Sequence, residues 1–290
     1  MFIFINIVLD WILIFGRFVL PALGAKGSAI ATMTAQIIGF IFIILYYKRY
    51  MVLSLKFNVL FKVNKQKIIE ILKLSFPASL QEAAFDISRL VSIFMIMHLG
   101  TVAFAANQIT TTIESISFMP GWGFAITATA MAGQMAGPRN YDSAKRYTRI
   151  SALFAVGIMS AMSILFLTIA HLFIRAFIND SELIAEGILC LMVASIEQPF
   201  IAIGMVYGGG LKGSGNTKTP FIISTISSWF IRLPLIYIVI YILKLGVAAV
   251  WFVITIQWSF EGITVYIYFR KEINKLKKEL MIFNLFTILA

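Results

Sequence analysis

A chain of 290 residues that is 60% hydrophobic and 13% charged, with mean hydropathy +0.92, carries about half the charge of an ordinary soluble domain. No fold of this size has enough polar skin to hide that much apolar surface from water, so soluble enzymes and free nucleic-acid binders are excluded. The formal charge of +11 then reads as basic residues gathered on one side of a membrane, not as a nucleic-acid surface.

A membrane-crossing helix needs ~20 mainly apolar residues. Eight stretches qualify: 2–21, 27–47, 71–97, 103–134, 150–173, 183–210, 219–243 and 246–269. The first is read as a span and not a signal peptide, because no basic leader precedes it and Asp10 and Arg17 interrupt it. Only helices satisfy their own backbone groups in lipid, so each stretch is predicted helical. Eighteen of the 24 basic residues fall in segments 48–73, 138–149 and 211–220 and in the tail after 269. The opposite side has Arg17, Lys26, Arg175 and Lys244. That asymmetry predicts that the basic loops and both termini are cytoplasmic. Residues 50–70 set Phe57, Leu60, Phe61 and Val63 among lysines and are read as an amphipathic linker on the inner leaflet. Residues 271–290 are read as a cytoplasmic tail.

An internal repeat is visible. Residues 23–49 begin Leu23-Gly24, carry Gln36 and end in Lys48-Arg49; residues 245–271 begin Leu245-Gly246, carry Gln257 and end in Arg270-Lys271. Each follows a span containing proline, Pro21 or Pro234. The second copy closes a set of six spans over 71–270. The first then closes an earlier set of which only two spans are present, with four expected before residue 1.

Ionisable residues at membrane depth cost roughly 2.5–3.5 kcal/mol each on insertion scales and are functional candidates by default. The third span holds Glu82, Asp86 and Arg89, spaced four and three and therefore on one helical face. Two readings stand side by side. In one, Arg89 neutralises Asp86 and the face packs on a neighbour. In the other, the face lines a cavity where a carboxylate, Glu82 above all, takes a proton or sodium ion. The sixth span places Glu197-Gln198-Pro199 mid-membrane, a second proline-marked acid that is expected to share one cavity with Glu82. Glu114 lies among Thr110, Thr111, Thr112, Ser115 and Ser117, which read as close-packing residues. Asp10 and Glu261 read as packing contacts. Arg232, beside Pro234, could balance a buried acid or reach solvent near the inner side.

Cys190 alone allows no internal disulfide, and His98 and His171 are too few for a metal centre. Gly208, Gly210 and Gly213 match G-x-G-x-x-G, but no strand precedes them, so no dinucleotide fold is implied. A P-loop is also missing, since Thr217 stands where glycine should precede Lys218-Thr219. There is no nucleophile–base set, so no enzyme is expected.

Several segments together resemble the multidrug and toxic compound extrusion (MATE) family. They are residues 6–36, with Asp10, Phe15-Gly16, Pro21 and Leu23-Gly24; Leu99-Gly100 through Ala105-Ala106-Asn107-Gln108-Ile109; and Met119-Pro120-Gly121 with Gly133-Gln134-Met135-Ala136-Gly137. To these are added Gly210-Leu211-Lys212-Gly213-Ser214-Gly215-Asn216-Thr217, with Lys212 and Asn216 as departures, and Trp229, Arg232, Leu233 and Pro234. The resemblance covers residues 1–270. It implies an all-α membrane protein of two six-helix lobes. This chain would hold eight transmembrane helices: the last two of the N-terminal lobe (1–49), the linker, and a complete C-terminal lobe (71–270).

It also implies a plasma-membrane secondary transporter, monomeric when full length. Organic, often cationic, compounds would be exported against Na+ or H+, with no cofactor, no nucleic acid, and membrane lipids around it. By resemblance, Glu82, Asp86, Glu197 and Gln198 are the substrate or ion-coupling candidates, and Arg89, Glu114 and Arg232 their structural polar partners. A lipid-linked precursor flippase of related fold is the alternative, and would carry a more basic cavity; a non-transporting remnant is a third. With one lobe incomplete, the 290-residue chain alone is expected not to couple an ion gradient to export.

Overall fold

The computed structural model describes residues 2–17, 21–50 and 64–289. It forms two compact units, Met1–Lys65 and Gln66–Ala290. Among the described residues every regular element is helical. The expected amphipathic linker with Phe57, Leu60, Phe61 and Val63 lies outside the described residues.

The first unit is a pair of helices, α1 (Phe2–Phe15) and α2 (Ala25–Tyr50). The span expected over 2–21 is shorter than read. Gly16 adopts φ +64°, and Arg17 N–H donates to the Ile12 carbonyl, five residues back, at 3.0 Å. That is the glycine-terminated end in which a left-handed residue closes the last turn. The 14 residues of α1 rise about 21 Å, and residues 18–20 of the expected span lie outside the described residues. The two helices meet through small residues. A Cβ on Gly27 would lie 2.6 Å from the Leu13 carbonyl oxygen, and Ala31 and Ala35 are fully buried one and two turns further on. Asn6 Nδ2 donates to Thr32 Oγ1 across the same seam at 3.4 Å.

The second unit contains α3 (Lys65–Met97), α4 (Thr101–Ala136), α5 (Tyr141–Thr168), the short α6 (Ala170–Arg175) and α7 (Ser181–Gly213). A composite rod follows: α8 (Lys218–Thr225), a π-helical stretch Ile226–Arg232, α9 (Leu233–Tyr237) and a second π stretch Ile238–Ile242. The last helix, α10 (Val247–Leu289), is continuous past Arg270, so the expected tail is helical over its described length. Likewise α3 begins at Lys65, inside the segment read as linker.

Among the described residues five helices are both long and apolar enough to cross a membrane: Ala25–Arg49, Tyr141–Thr168, Ser181–Gly213, Lys218–Ile242 and Val247–Ile282. Helices α3 and α4, at 33 and 36 residues, have the length but dilute their apolar content with acids, amides and hydroxyls.

Helix α7 is the hub, with α4, α5 and α10 packed around it. Its glycines explain how. A Cβ on Gly209 would sit 2.5 Å from the Ala125 carbonyl oxygen, and one on Gly213 2.3 Å from that of Thr129, both on α4. A Cβ on Gly210 would meet Thr148 of α5 at 2.6 Å. From α10, Gly262 approaches the Phe200 carbonyl to 2.5 Å by the same measure. Lipid gives helices no hydrophobic reason to associate, so backbone proximity at small residues supplies the dispersion contact instead. The G-x-G-x-x-G match is therefore a packing seam.

Side-chain caps fix the loops. Asn140 Oδ1 accepts from Ser143 N at 3.1 Å, and Asp180 Oδ1 accepts from Glu182 N and Leu183 N at 3.0 Å each. Asn216 Oδ1 accepts from Thr219 N at 3.1 Å. Prolines 77, 120 and 199 lie within continuous helices. At Pro234 the chain instead winds wide. Leu233 N–H reaches the Ser228 carbonyl five residues back, giving room to a ring that would crowd an α-turn.

Candidate functional site

The polar residues of the second unit sort into a surface set on α3 and a buried set on α4, α7, the π stretch and α10. On α3, Arg89 Nη2 lies 3.2 Å from Asp86 Oδ1, and both side chains are more than half exposed within this unit. Glu82 is similarly exposed and lies 3.8 Å from the Lys212 ammonium. Glu82, expected to stand free, thus has a cation beside it. Helix α3 is tied to the π stretch by Ser88 Oγ donating to the Ser228 carbonyl and by Trp229 Nε1 donating to the Ala84 carbonyl, each at 3.0 Å.

The buried set forms two linked groups. In the first, Gln198 Nε2 donates to Glu114 Oε1 at 3.4 Å and to the Ala194 carbonyl at 3.2 Å. Glu197 is completely buried, and neither carboxylate oxygen has a hydrogen-bond partner within 3.5 Å, the Thr255 hydroxyl lying nearby. Its carboxyl faces that of Glu114 closely enough for a hydrogen bond once one of the two carries a proton. In the second group, Glu261 Oε2 accepts from Ser227 Oγ at 2.5 Å and from Gln257 Nε2 at 2.8 Å. Between the groups stands Arg232, 7% exposed, its guanidinium 5.9 Å from the Phe85 ring centre and interacting electrostatically with Glu197, Glu114 and Glu261. Arg232 is therefore a buried counter-charge and does not reach solvent at the inner side.

Two cavities flank this centre. The one nearer the basic loops has a volume of about 250 Å³ and is lined by Gln81, Glu82, Trp122, Lys212 and Glu261 among others. The other measures about 510 Å³ and takes in Arg89, Asn107, Gln108, Glu114, Arg232 and Trp251. Phe85, Phe118 and Trp258 belong to both walls, with Phe85 and Trp258 ring centres 5.7 Å apart, so an aromatic layer separates the two spaces.

The expectation that Glu82 and Glu197 share a cavity is corrected here. Glu82 lines the basic-end cavity, whereas Glu197 is completely buried and lines neither. Asp86 is taken up by Arg89 and is not on either wall. Gln198 is brought to Glu114, within hydrogen-bond distance. Sequence reasoning read Glu261 only as a packing contact and did not single out Ser227. The one available signal was the four-residue spacing of Gln257 and Glu261, which places them on one helical face.

A bundle of long apolar helices around a charged core with cavities on either side defines a helical membrane protein. The MatE family model matches residues 77–238, more than half of the chain, and the chain belongs to this family of integral membrane transporters. A probable multidrug resistance protein NorM from Thermotoga maritima is 30% identical over 249 residues, covering 86% of this chain and 53% of that protein. The uncharacterized transporter YisQ of Bacillus subtilis is 26% identical, covering 93% of this chain and 59% of that one. The chain thus spans about half the length of the curated relatives it matches. Among solved structures, a transporter of the MOP superfamily from Pyrococcus furiosus has a TM-score of 0.85 at 21% identity, covering 94% of this chain and 61% of that one. An outward-facing multidrug resistance MATE family transporter likewise scores 0.85 at 22% identity, with coverages of 94% and 60%. These likenesses establish the fold.

Proposed function

We propose that this chain works in a secondary transporter that exports organic, often cationic, compounds in exchange for Na+ or H+. The observation that carries the reading is the pair Glu114 and Glu197. Two carboxyl groups face one another among the packed helices, that of Glu197 completely buried and with no hydrogen-bond partner within 3.5 Å. Two like charges so placed repel strongly, and a buried carboxylate without partners is costly. A proton or a sodium ion between them removes both penalties. The pair is then stable loaded and unstable empty, which is what an exchange ion requires. On the basic-end side, Glu82 and Glu261 with the rings of Phe85, Trp122 and Trp258 suit an organic cation, which the faces of aromatic rings attract.

Alternating access would expose this centre first to one side and then to the other. We place the protein in the plasma membrane with eight crossings, its basic loops and both termini in the cytoplasm, by the asymmetry of Lys and Arg. A cytoplasm-dependent reporter should work fused after residue 142 or 215 and fail after 178; activity at 178 reverses the orientation. The exchange site is tested by infrared difference spectroscopy of the purified chain as pH or Na+ is varied. A carboxyl band should respond in the native chain and vanish in Glu197→Gln. A response unchanged in Glu197→Gln removes the pair from the mechanism. In cells stripped of their own pumps, the transporter containing this chain should exclude a fluorescent organic cation, and Glu197→Gln should abolish the exclusion.

A further inference from the structure

The 510 Å³ cavity carries a surplus of donors that the acidic centre does not explain. Its charged wall residues are Arg89, Arg232 and Glu114, two cations against one acid. Arg232 is more than nine-tenths buried, its Nε has no hydrogen-bond partner, and among the described residues it makes no ion pair within 4.0 Å. The indole Nε1 of Trp251, on the same wall and 2% exposed as a residue, also lacks a partner. Glu197, Glu114 and Glu261 act on the Arg232 guanidinium through space, but none makes an ion pair with it within 4.0 Å. Arg89 gives one nitrogen to Asp86 and keeps the rest of its fork. The basic-end cavity is the reverse, with Glu82 and Glu261 against Lys212. Counted over their charged wall residues, the two spaces therefore differ in balance.

Buried donors without acceptors are expensive, and native proteins leave few of them. A guanidinium is planar, always charged and shaped to hold two oxygens of one anion. The rest of the wall is mixed, with Ser92, Asn107, Gln108, Thr111 and Ser115 beside an apolar part that includes Leu90, Ile93, Ile96 and Ile254. We propose that this cavity binds an amphiphilic anion, a phosphate monoester or carboxylate head on an apolar body, with Arg232 as the anchor and Arg89 as the outer contact. The head reaches the guanidinium and the Trp251 side of the wall; the body lies on the aliphatic residues of α3 and α10. The ligand's source is either a lipid headgroup or a soluble amphiphile, and both offer the same oxyanion. This inference goes beyond the export reading and stands apart from it, because binding is measured without transport.

The test is calorimetric titration of the purified full chain with phenyl phosphate and, as a charge-reversed twin, phenyltrimethylammonium. Phenyl phosphate should bind saturably. Arg232→Gln should weaken it at least tenfold while leaving phenyltrimethylammonium unchanged or tighter, and Arg232→Lys should restore part of the loss. Arg89→Gln, at an exposed position, should cost a smaller factor. Lys212→Met, across the aromatic layer, should leave phenyl phosphate within twofold of the native chain. In nanodiscs, displacement of phenyl phosphate by added phosphatidic acid supports the site with a lipid head as its occupant; retention against it supports the site with a soluble amphiphile. No saturable binding of phenyl phosphate by the native chain, equal affinity in Arg232→Gln, or loss in Lys212→Met overturns the proposal. The native chain's preference and the Arg89 variant decide the matter even where Arg232→Gln fails to fold.

Discussion

Helices α3 and α7 are both 33 residues long, and each carries an internal proline and acidic residues, yet the unit treats them in opposite ways. Helix α7 has glycines at 187, 204, 208, 209, 210 and 213, and its neighbours close onto its backbone. Helix α3 has no glycine, and within this unit most of its surface stays open. The acids follow. Asp86 and Glu82 of α3 find cations, Arg89 and Lys212, whereas Glu197 of α7 is sealed in with no hydrogen-bond partner within 3.5 Å and no cation within 4.0 Å. Close packing, and not the acid itself, decides whether a carboxylate in this fold is a surface pair or a stored charge.

The sharpest way to break this contrast is to remove the close approach. Gly209→Leu would drive side-chain atoms into the Ala125 carbonyl, already 2.5 Å from a bare Cβ. A loss of about 3 kcal/mol or more is expected, at the upper end of overpacking costs. Thermal unfolding in detergent reads it directly, and an unshifted transition would mean that α4 and α7 are not held by this seam.

Next in size is Glu197→Gln. An unpartnered buried charge destabilises its own fold, so the amide should raise stability by about 1–3 kcal/mol while abolishing ion exchange. A variant both less stable and still able to exchange would show that Glu197 is a structural acid. For Ser227→Ala, Glu261 loses the hydroxyl that donates to it at 2.5 Å, with Gln257 left as its donor. A loss of about 1–2 kcal/mol is expected from one removed hydrogen bond to a charged group.

Asp86→Asn should do least. Its partner Arg89 is on the same helix and both are exposed in this unit, so less than about 1 kcal/mol is expected. A larger effect measured by the same unfolding assay would show that α3 is covered by further protein in the working transporter.

Composition alone set the class of this protein, because a chain with so little charge cannot make a water-facing skin. The chain order of the helices was legible too, since each is a local apolar run of about the length a span needs. Even the early end of α1 had its signal in Gly16, although the apolar run beyond it outweighed the glycine in the reading. The acids were visible as positions. Their partners were not. Helical spacing shows which residues share a face, as with Asp86 and Arg89, but not what the face meets. Ser227 and Glu261 are 34 residues apart on different elements, and Gln198 and Glu114 are 84 apart. Only tertiary packing brings such pairs within hydrogen-bond distance and decides which carboxylates keep a cation. The charge balance of each cavity is likewise a property of the assembled walls. Charge acts through space at a few ångströms, and sequence distance carries no record of it.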